Sequence, residues 1–292
     1  LKARELKSQG YSPDVIISHP GWGESLFLKD IWPDARLKVY CEFYYHTSGF
    51  DIGFDSEFES TDKFNVPRVH LKNTSFLLQS EEADSGISPT KWQASTFPEQ
   101  FRQKISVIHD GIDTDLVRPI DNVKLKLPNN RQLLSDDEII TYVSRSLEPY
   151  RGFHSFMRSL PEILKKRKNA VVLIVGEDGT SYGSEPPAGD SWKSLFLKEI
   201  RPLLNNQQYE RINFLGKVDY STFKQVLCVS TVHVYLTYPF VLSWSLLEAM
   251  SSGCAIVGSK TPPVEEAIKD NMTGKLVNFF KSEEIAECVI GL

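Results

Sequence analysis

Cysteine is scarce in this chain, with four in 292 residues. Cys41, Cys228, Cys254 and Cys288 stand far apart and show none of the close pairs that a zinc site or a disulfide framework uses. Three of them lie in or beside apolar runs, which points to buried, reduced thiols and a cytosolic protein. Long apolar runs are missing too. No segment approaches the roughly 18 uninterrupted apolar residues of a membrane span, and no secretory leader is visible. No G-x-G-x-x-G follows a strand-like run, which argues against an NAD dehydrogenase. Neither sign of charge dominates: a net charge of −5 argues against broad nucleic-acid binding and leaves room only for a local basic cleft.

What remains is a globular composition, 41% hydrophobic and 24% charged, in a length that suits two domains. The chain starts at Leu1 inside a helix-like charged segment and stops at Leu292 inside another helical pattern, SEEIAECVIGL. The expectation is a part of a longer protein.

The first half reads as a helix over KARELKSQ, a strand VIIS, a loop His19 to Glu24, and a helix with apolar Leu26, Phe27 and Ile31. A strand over Leu37 to Phe43 opens into YYHTSGFDIGFDSEF, whose few aliphatic residues suit a binding loop better than a core. Residues 64 to 80 do not decide between patterns. Asp84 to Ser88 and ISVIHDGID read as further strands. Residues 119 to 138 have little periodicity and several turn formers, so the boundary falls there: domains at 1–120 and 121–292. The second half repeats strand and helix more plainly, with five or six strands from IITYVS to GKLV. That rhythm predicts a doubly wound, Rossmann-like parallel sheet, with ligands beyond the carboxyl ends of its strands.

One stretch concentrates the chemistry. Val232 to Leu236 reads as a buried strand, Tyr238 and Pro239 as a turn, and Ser243 as the N-cap of a helix WSLLEAM that ends before Gly253. The turn aims a helix N-terminus at the space beyond the strand, where a phosphate can dock. Glu248 sits in the middle of this largely apolar helix. A buried carboxylate needs a partner, either a neighbouring Arg or Lys or a ligand hydroxyl. Arg145 and Arg151 follow the strand at 139 to 144, and guanidinium forks suit phosphate oxygens. The plain alternative is two solvated arginines, with Arg145 pairing Glu148.

Taken in order, these pieces resemble glycosyltransferase family 4, the retaining enzymes of GT-B fold. Arg145, Leu147, Pro149 and Arg151 match its basic pair around an L-x-P turn; Phe214, Leu215, Gly216 and Val218 match F-L-G and the β-branched residue after it. Leu246 to Met250 match L-L-E-A-M, Ser252 to Val257 the small-G-x-(A/P)-(I/V)-V run, and Glu266, Ile268 and Thr273 to Val277 the last elements. The resemblance runs from about residue 105 to 278. The first half resembles the acceptor domain without its first strand–helix units, and Asp110 to Asp113 resemble the turn before the domain linker.

The resemblance implies an α/β fold of two Rossmann-like domains facing a cleft, and transfer of a sugar from a nucleoside-diphosphate sugar to a glycan, lipid or other hydroxyl acceptor. It implies that Arg145 and Arg151 clamp the donor diphosphate, the second standing where lysine is commoner. Backbone at Gly216, Lys217 and Val218 would hold the base, Glu248 the ribose hydroxyls, and amides at Leu242, Ser243 and Trp244 the diphosphate. His19, grouped with the two arginines as a catalytic candidate, and Gly21, Glu24, Glu42 and His46 would face acceptor or donor sugar; His19 capping the next helix and His46 as a solvated loop residue are the alternatives. No cofactor or metal is expected, and no Asp-x-Asp site suits one. Partners would be the nucleotide sugar and a glycan or lipid-linked acceptor, with no nucleic acid, in a cytoplasmic protein that is either free or peripheral at the inner face of a membrane; the oligomeric state is left open. One departure stands out. The family's first glutamate falls eight positions before Glu248, where this chain has Phe240, near the donor sugar. That substitution lends weight to one other reading, a non-catalytic nucleotide-sugar or glycan-binding module; a nucleotide-sugar epimerase or a phosphorylase on the same architecture is the other rival.

Overall fold

In the computed structural model the alternating pattern becomes two α/β units, Leu1–Gly111 and Ile112–Leu292. Residues 1–59, 65–128 and 130–292 are described.

The first unit runs α1 (Lys2–Ser8), β1 (Val15–Ser18), α2 (Leu28–Ile31), β2 (Arg36–Tyr40), α3 (Asn65–Glu82), β3 (Ser85–Ser88), α4 (Lys91–Ser95), α5 (Glu99–Arg102) and β4 (Ile105–Val107). Its four strands pair in parallel in chain order, β1-β2-β3-β4. Val39, Cys41, Phe76, Ala83, Phe97 and Phe101 form its core. Several boundaries differ from the sequence reading. The second strand stops at Tyr40, three residues early: the Glu42 amide turns back to the Tyr40 carbonyl at 3.2 Å, and beyond it the amides of Tyr44 and Tyr45 go to the side chains of Thr96 (3.1 Å) and Asn73 (3.0 Å). Likewise β4 ends at Val107: His109 Nδ1 accepts from the Gly111 amide at 2.9 Å and turns the chain. The helix expected over Leu26 to Ile31 keeps only its second half, since Phe27 sits at φ 66°, outside helical space.

The undecided stretch is α3, 18 residues long (residue 64 lies outside the described residues). Pro67 stands in its first turn, where no intrahelical N–H is needed. Its inward positions are Val69, Asn73, Phe76 and Gln79, and the two amides interrupt the apolar stripe. Asn73 also donates to the Tyr45 carbonyl at 2.8 Å, and Gln79 donates to Ser25 Oγ.

The second unit opens with a hairpin, β5 (Lys124–Lys126) and β6 (Gln132–Leu134), in the span that shows little periodicity. Strands this short leave no alternation to read, yet Leu125, Leu127 and Leu133 are buried with Ile139, Val171 and Leu173. Then come β7 (Ile139–Ser146), α6 (Phe153–Lys166), β8 (Val171–Glu177), α7 (Trp192–Ile200), α8 (Asn206–Tyr209), β9 (Ile212–Gly216), α9 (Tyr220–Cys228), β10 (Val232–Tyr235), α10 (Trp244–Ser251), β11 (Ala255–Ser259), α11 (Pro262–Ala267), β12 (Lys275–Val277) and α12 (Ser282–Gly291). Six parallel strands lie in the order β12-β11-β10-β7-β8-β9. β8 is buried over six consecutive residues, as a strand covered on both faces requires. The order reverses between β7 and β10. In a doubly wound sheet the loops leaving those two strands part there and open a crevice.

Two glycines near the carboxyl ends of β7 and β8 are required by close approach. Gly152, at φ 71°, ends the turn after β7, and a Cβ there would lie 2.3 Å from Leu236 Cβ. At Gly176 a Cβ would meet the Ser144 carbonyl oxygen at 2.9 Å, beside an irregularity in the β7–β8 pairing between Val143 and Ser146.

Candidate functional site

Arg151 occupies the point where the sheet order reverses. The Tyr142 hydroxyl, on β7, donates to its carbonyl at 2.8 Å and fixes the backbone. Its Nη1 donates to Thr237 Oγ1 at 2.8 Å and to the Val241 carbonyl at 3.2 Å, both just beyond β10. The guanidinium carbon lies 5.3 Å from the Tyr182 ring centroid and 5.7 Å from that of Phe240, within cation–π range. Burial disfavours its charge, but the hydroxyls of Tyr235, Tyr182, Tyr150 and Tyr142 outweigh that and leave its pKa raised. Phe240 is itself buried and edge-on to Tyr150 at 5.1 Å. The position singled out in the sequence as a departure is therefore next to Arg151, where it supplies a ring.

Arg145 is exposed on the last part of β7, with no side-chain hydrogen bond or ion pair among the described residues. It does not pair with Glu148. That carboxylate is buried and taken by the amides of Ser181, Tyr182 and Gly183, at 2.9 Å for the last. Burial raises the Glu148 pKa, and those amides and Arg151 pull against the rise without cancelling it.

Around α10 the sequence reading holds in outline. Ser243 is the N-cap, accepting from the Ser245 amide at 3.3 Å, and Gly253 comes after the helix at φ 85°. The Ser243 N–H donates to the Tyr235 hydroxyl at 2.9 Å, and that hydroxyl lies 3.5 Å from Arg151 Nη1. Leu242 is buried and Trp244 exposed. Glu248 differs from expectation: it is only half-buried and has neither an Arg nor a Lys partner among the described residues. Instead it accepts from the Tyr220 hydroxyl at 2.8 Å, which together with some burial pushes the Tyr220 pKa up to about 12.

Gly216 and Lys217 line a hollow of about 620 Å³ beyond β8 and β9, with Leu147, Gly176, Glu177 and Phe214. Lys217 Nζ lies 3.1 Å from Glu177 Oε1 across this opening, while Val218 packs half-buried against the core.

In the first unit, His19, Gly21 and Glu42 come together beyond β1 and β2. His19 Nδ1 accepts from the Gly21 amide at 3.1 Å, which leaves the proton on Nε2, 3.2 Å from Glu42 Oε2. So His19 does act as a cap, though of a single turn at Pro20–Trp22, and its ring stacks on Trp22 at 4.7 Å. A Cβ at Gly21 would strike that imidazole at 2.8 Å. Tyr40 donates to both Asp110 oxygens at 2.8 Å beside this group. Glu24 is exposed and outside it. His46 is neither solvated nor part of it: Nε2 donates to the Thr96 carbonyl at 2.7 Å and the ring stacks on Phe50 at 4.0 Å. No grouping of three His, Cys, Asp or Glu side chains among the described residues could hold a metal ion. Nor, among them, is any helix long and apolar enough to cross a membrane.

Sequence reasoning missed Glu148, Tyr142, Tyr182, Tyr220 and Tyr235. Tyr235 had a signal: a phenol at the end of an apolar strand has to find a partner for its hydroxyl.

Comparison with known proteins bears on family and fold. The model of the glycosyl transferase family 4 group matches residues 2–117, and that of the glycosyl transferases group 1 matches residues 137–292. An uncharacterized glycosyltransferase of Methanocaldococcus jannaschii is 27% identical over 289 residues, covering 96% of this chain and 66% of that protein. A D-inositol 3-phosphate glycosyltransferase of Mycobacteroides abscessus is 24% identical over 253 residues, covering 78% of this chain and 53% of its own length. The chain thus spans less than two thirds of either relative. Among solved structures, Anabaena HepE in complex with UDP and glucose aligns with TM-score 0.64 at 16% identity, over 99% of this chain and 71% of that one. Sucrose-phosphate synthase of Thermosynechococcus elongatus aligns with TM-score 0.65 at 14% identity, over 98% and 65%. The fold is GT-B, with a parallel sheet in each unit. With over half of its length matched by one family model, the chain belongs to the glycosyl transferases group 1.

Proposed function

We propose that the second unit binds a nucleoside-diphosphate sugar and that the protein transfers the sugar, with retained anomeric configuration, to a hydroxyl of a glycan, lipid-linked or other acceptor. The observation that carries this reading is the state of the two arginines at the strand ends. Arg151 is held by neutral groups and rings, Arg145 by no side chain, and neither makes an ion pair among the described residues. Cations with no direct ion pair to a protein carboxylate favour an anionic ligand.

Retaining transfer makes that demand. As the bond from the anomeric carbon to the diphosphate oxygen breaks, negative charge grows on the leaving group, and the acceptor oxygen attacks the same face. Arg145, Arg151 and the amides at the start of α10 would meet that charge. Glu248 would exchange its bond from Tyr220 for ribose hydroxyls, and the backbone at Gly216 to Val218 would face the base from the neighbouring hollow. That Anabaena HepE binds UDP-glucose supports a nucleotide-sugar donor. In the first unit, His19 and Glu42 are the pair offered to the acceptor or the transferred sugar.

Phe240 favours one other reading, a module that binds nucleotide sugars without turning them over. Incubating the protein with UDP-, GDP- and ADP-sugars and following diphosphate release by phosphorus NMR separates the two. Release from one donor supports the transferase. Tight binding without release under any acceptor supports the binding module.

A further inference from the structure

The loop between β8 and α7 is rich in Gly, Ser and Pro, yet its middle is held by a side chain from a different loop. Glu148 is 0% exposed. Its carboxylate accepts from three successive backbone N–H groups, those of Ser181 at 3.3 Å, Tyr182 at 3.2 Å and Gly183 at 2.9 Å. Successive amides converging on an anion form a nest of the kind that elsewhere receives a phosphate. Here the nest is filled from within. Ser146 Oγ, 2.6 Å from Ser181 Oγ, and Trp192 Nε1, donating to the Ser184 carbonyl at 3.0 Å, tie the same loop on either side. At Gly183 a Cβ would stand 3.2 Å from Glu148 Oε2, tighter than an ordinary contact.

The nest carries Tyr182. Its ring lies 5.3 Å from the Arg151 guanidinium carbon, 5.1 Å from the Phe240 ring and 5.7 Å from that of Tyr150. Glu148 precedes the turn Pro149–Arg151, so one short segment carries both the cation and the carboxylate that anchors the ring over it. We propose that Glu148 is a positioning residue for the donor site: it holds the amides of residues 181 to 183, sets Tyr182 against Arg151, and so presents a pre-oriented guanidinium to the donor diphosphate. This rests on the donor-site reading given above. The logic is preorganisation, since a cation already fixed between rings loses little freedom when a phosphate arrives. Glutamine at 148 has one acceptor oxygen and an NH2 that would face donors, so the nest opens and the ring is released.

The test combines hydrogen exchange with titration of UDP into wild type, Glu148→Gln, Tyr182→Ala and the double variant. Expected are protected amides at 181 to 183 in wild type, loss of that protection in Glu148→Gln, and UDP affinity lowered by about tenfold in each single variant. The double variant should be no weaker than Tyr182→Ala alone, because both changes remove one contact. Additive losses in the double variant would mean that Glu148 acts on the ligand by a route other than Tyr182, and that result overturns the proposal. Wild-type affinity in Tyr182→Ala also overturns it, whether or not Glu148→Gln folds. If wild type shows the protected amides but binds no UDP, GDP or ADP, the donor-site reading falls and this proposal falls with it; if wild type binds and Glu148→Gln binds equally, this proposal alone falls.

Discussion

Replacing Gly152 by alanine tests whether the turn that carries Arg151 is as tightly built as its geometry states. The backbone there has φ 71°, a conformation that costs an L-residue about 1–2 kcal/mol. The added methyl would also stand 2.3 Å from Leu236 Cβ, an atom that cannot swing away without moving the end of β10. Overpacking of that kind costs about 1–3 kcal/mol. Together these give a loss of about 3 kcal/mol for the second unit. Gly189→Ala is the control, because Gly189 has φ 88° and nothing within 4 Å of a Cβ, so only the backbone part applies. Native-state hydrogen exchange of buried β7 and β10 amides reads this unit by itself, which a two-unit denaturation curve does not. About 3 kcal/mol corresponds to exchange faster by roughly two orders of magnitude at those amides. Equal losses in Gly152→Ala and Gly189→Ala would refute the overlap argument.

His233 is buried in β10, with Nδ1 2.8 Å from Thr141 Oγ1, and burial lowers its pKa from 6.5 to about 4. The unfolded chain therefore binds the extra proton between those values, and the stability this group contributes is present above pH 6.5 and lost as pH falls toward 4, by about 3 kcal/mol. Stability of the second unit measured from pH 7 to 4 should show that decline, and His233→Gln should flatten it. Burial pushes the thiols of Cys41 and Cys254 up to about 12, so iodoacetamide at pH 8 should leave both unmodified in the native protein, as peptide mass spectrometry would report. Tyr220→Phe removes the hydroxyl that occupies Glu248 at an exposed position. Its unfolding free energy should stay within about 0.5 kcal/mol of wild type, and nucleotide affinity measured by calorimetry should hold or rise; a fall would mean that Tyr220 itself touches the ligand.

The second unit was the more legible half, because parallel strands buried on both faces read as apolar runs such as VVLIVG, and Ser243 and Gly253 mark their helix without ambiguity. In the first unit polar residues do structural work that periodicity does not register. Asn73 and Gln79 point inward from α3, and side chains of Thr96 and Asn73 hold the chain beyond β2 by taking the amides of Tyr44 and Tyr45. The arginines and Glu248 were found by motif and spacing. The groups that surround them were not: Glu148 is 33 to 35 residues from the amides it holds, and Tyr220 is 28 residues from Glu248. Nothing local in the sequence signals a pairing over such separations. Phe240 was noticed only as a missing glutamate. Its contact with Arg151 gives that position a physical consequence, because a ring and not a carboxylate faces the guanidinium there.

The most direct measurement is calorimetric titration of the full chain with UDP, GDP and ADP, repeated on Arg145→Ala and Arg151→Ala. Arg145 is exposed and makes no side-chain hydrogen bond or ion pair among the described residues, so its replacement isolates the charge. The account predicts that one nucleoside diphosphate binds and that each variant weakens it by about tenfold or more, as expected for losing a charge-assisted contact to phosphate. No binding of any of the three to a protein with protected β7 and β10 amides, or equal binding by wild type and both variants, would contradict it.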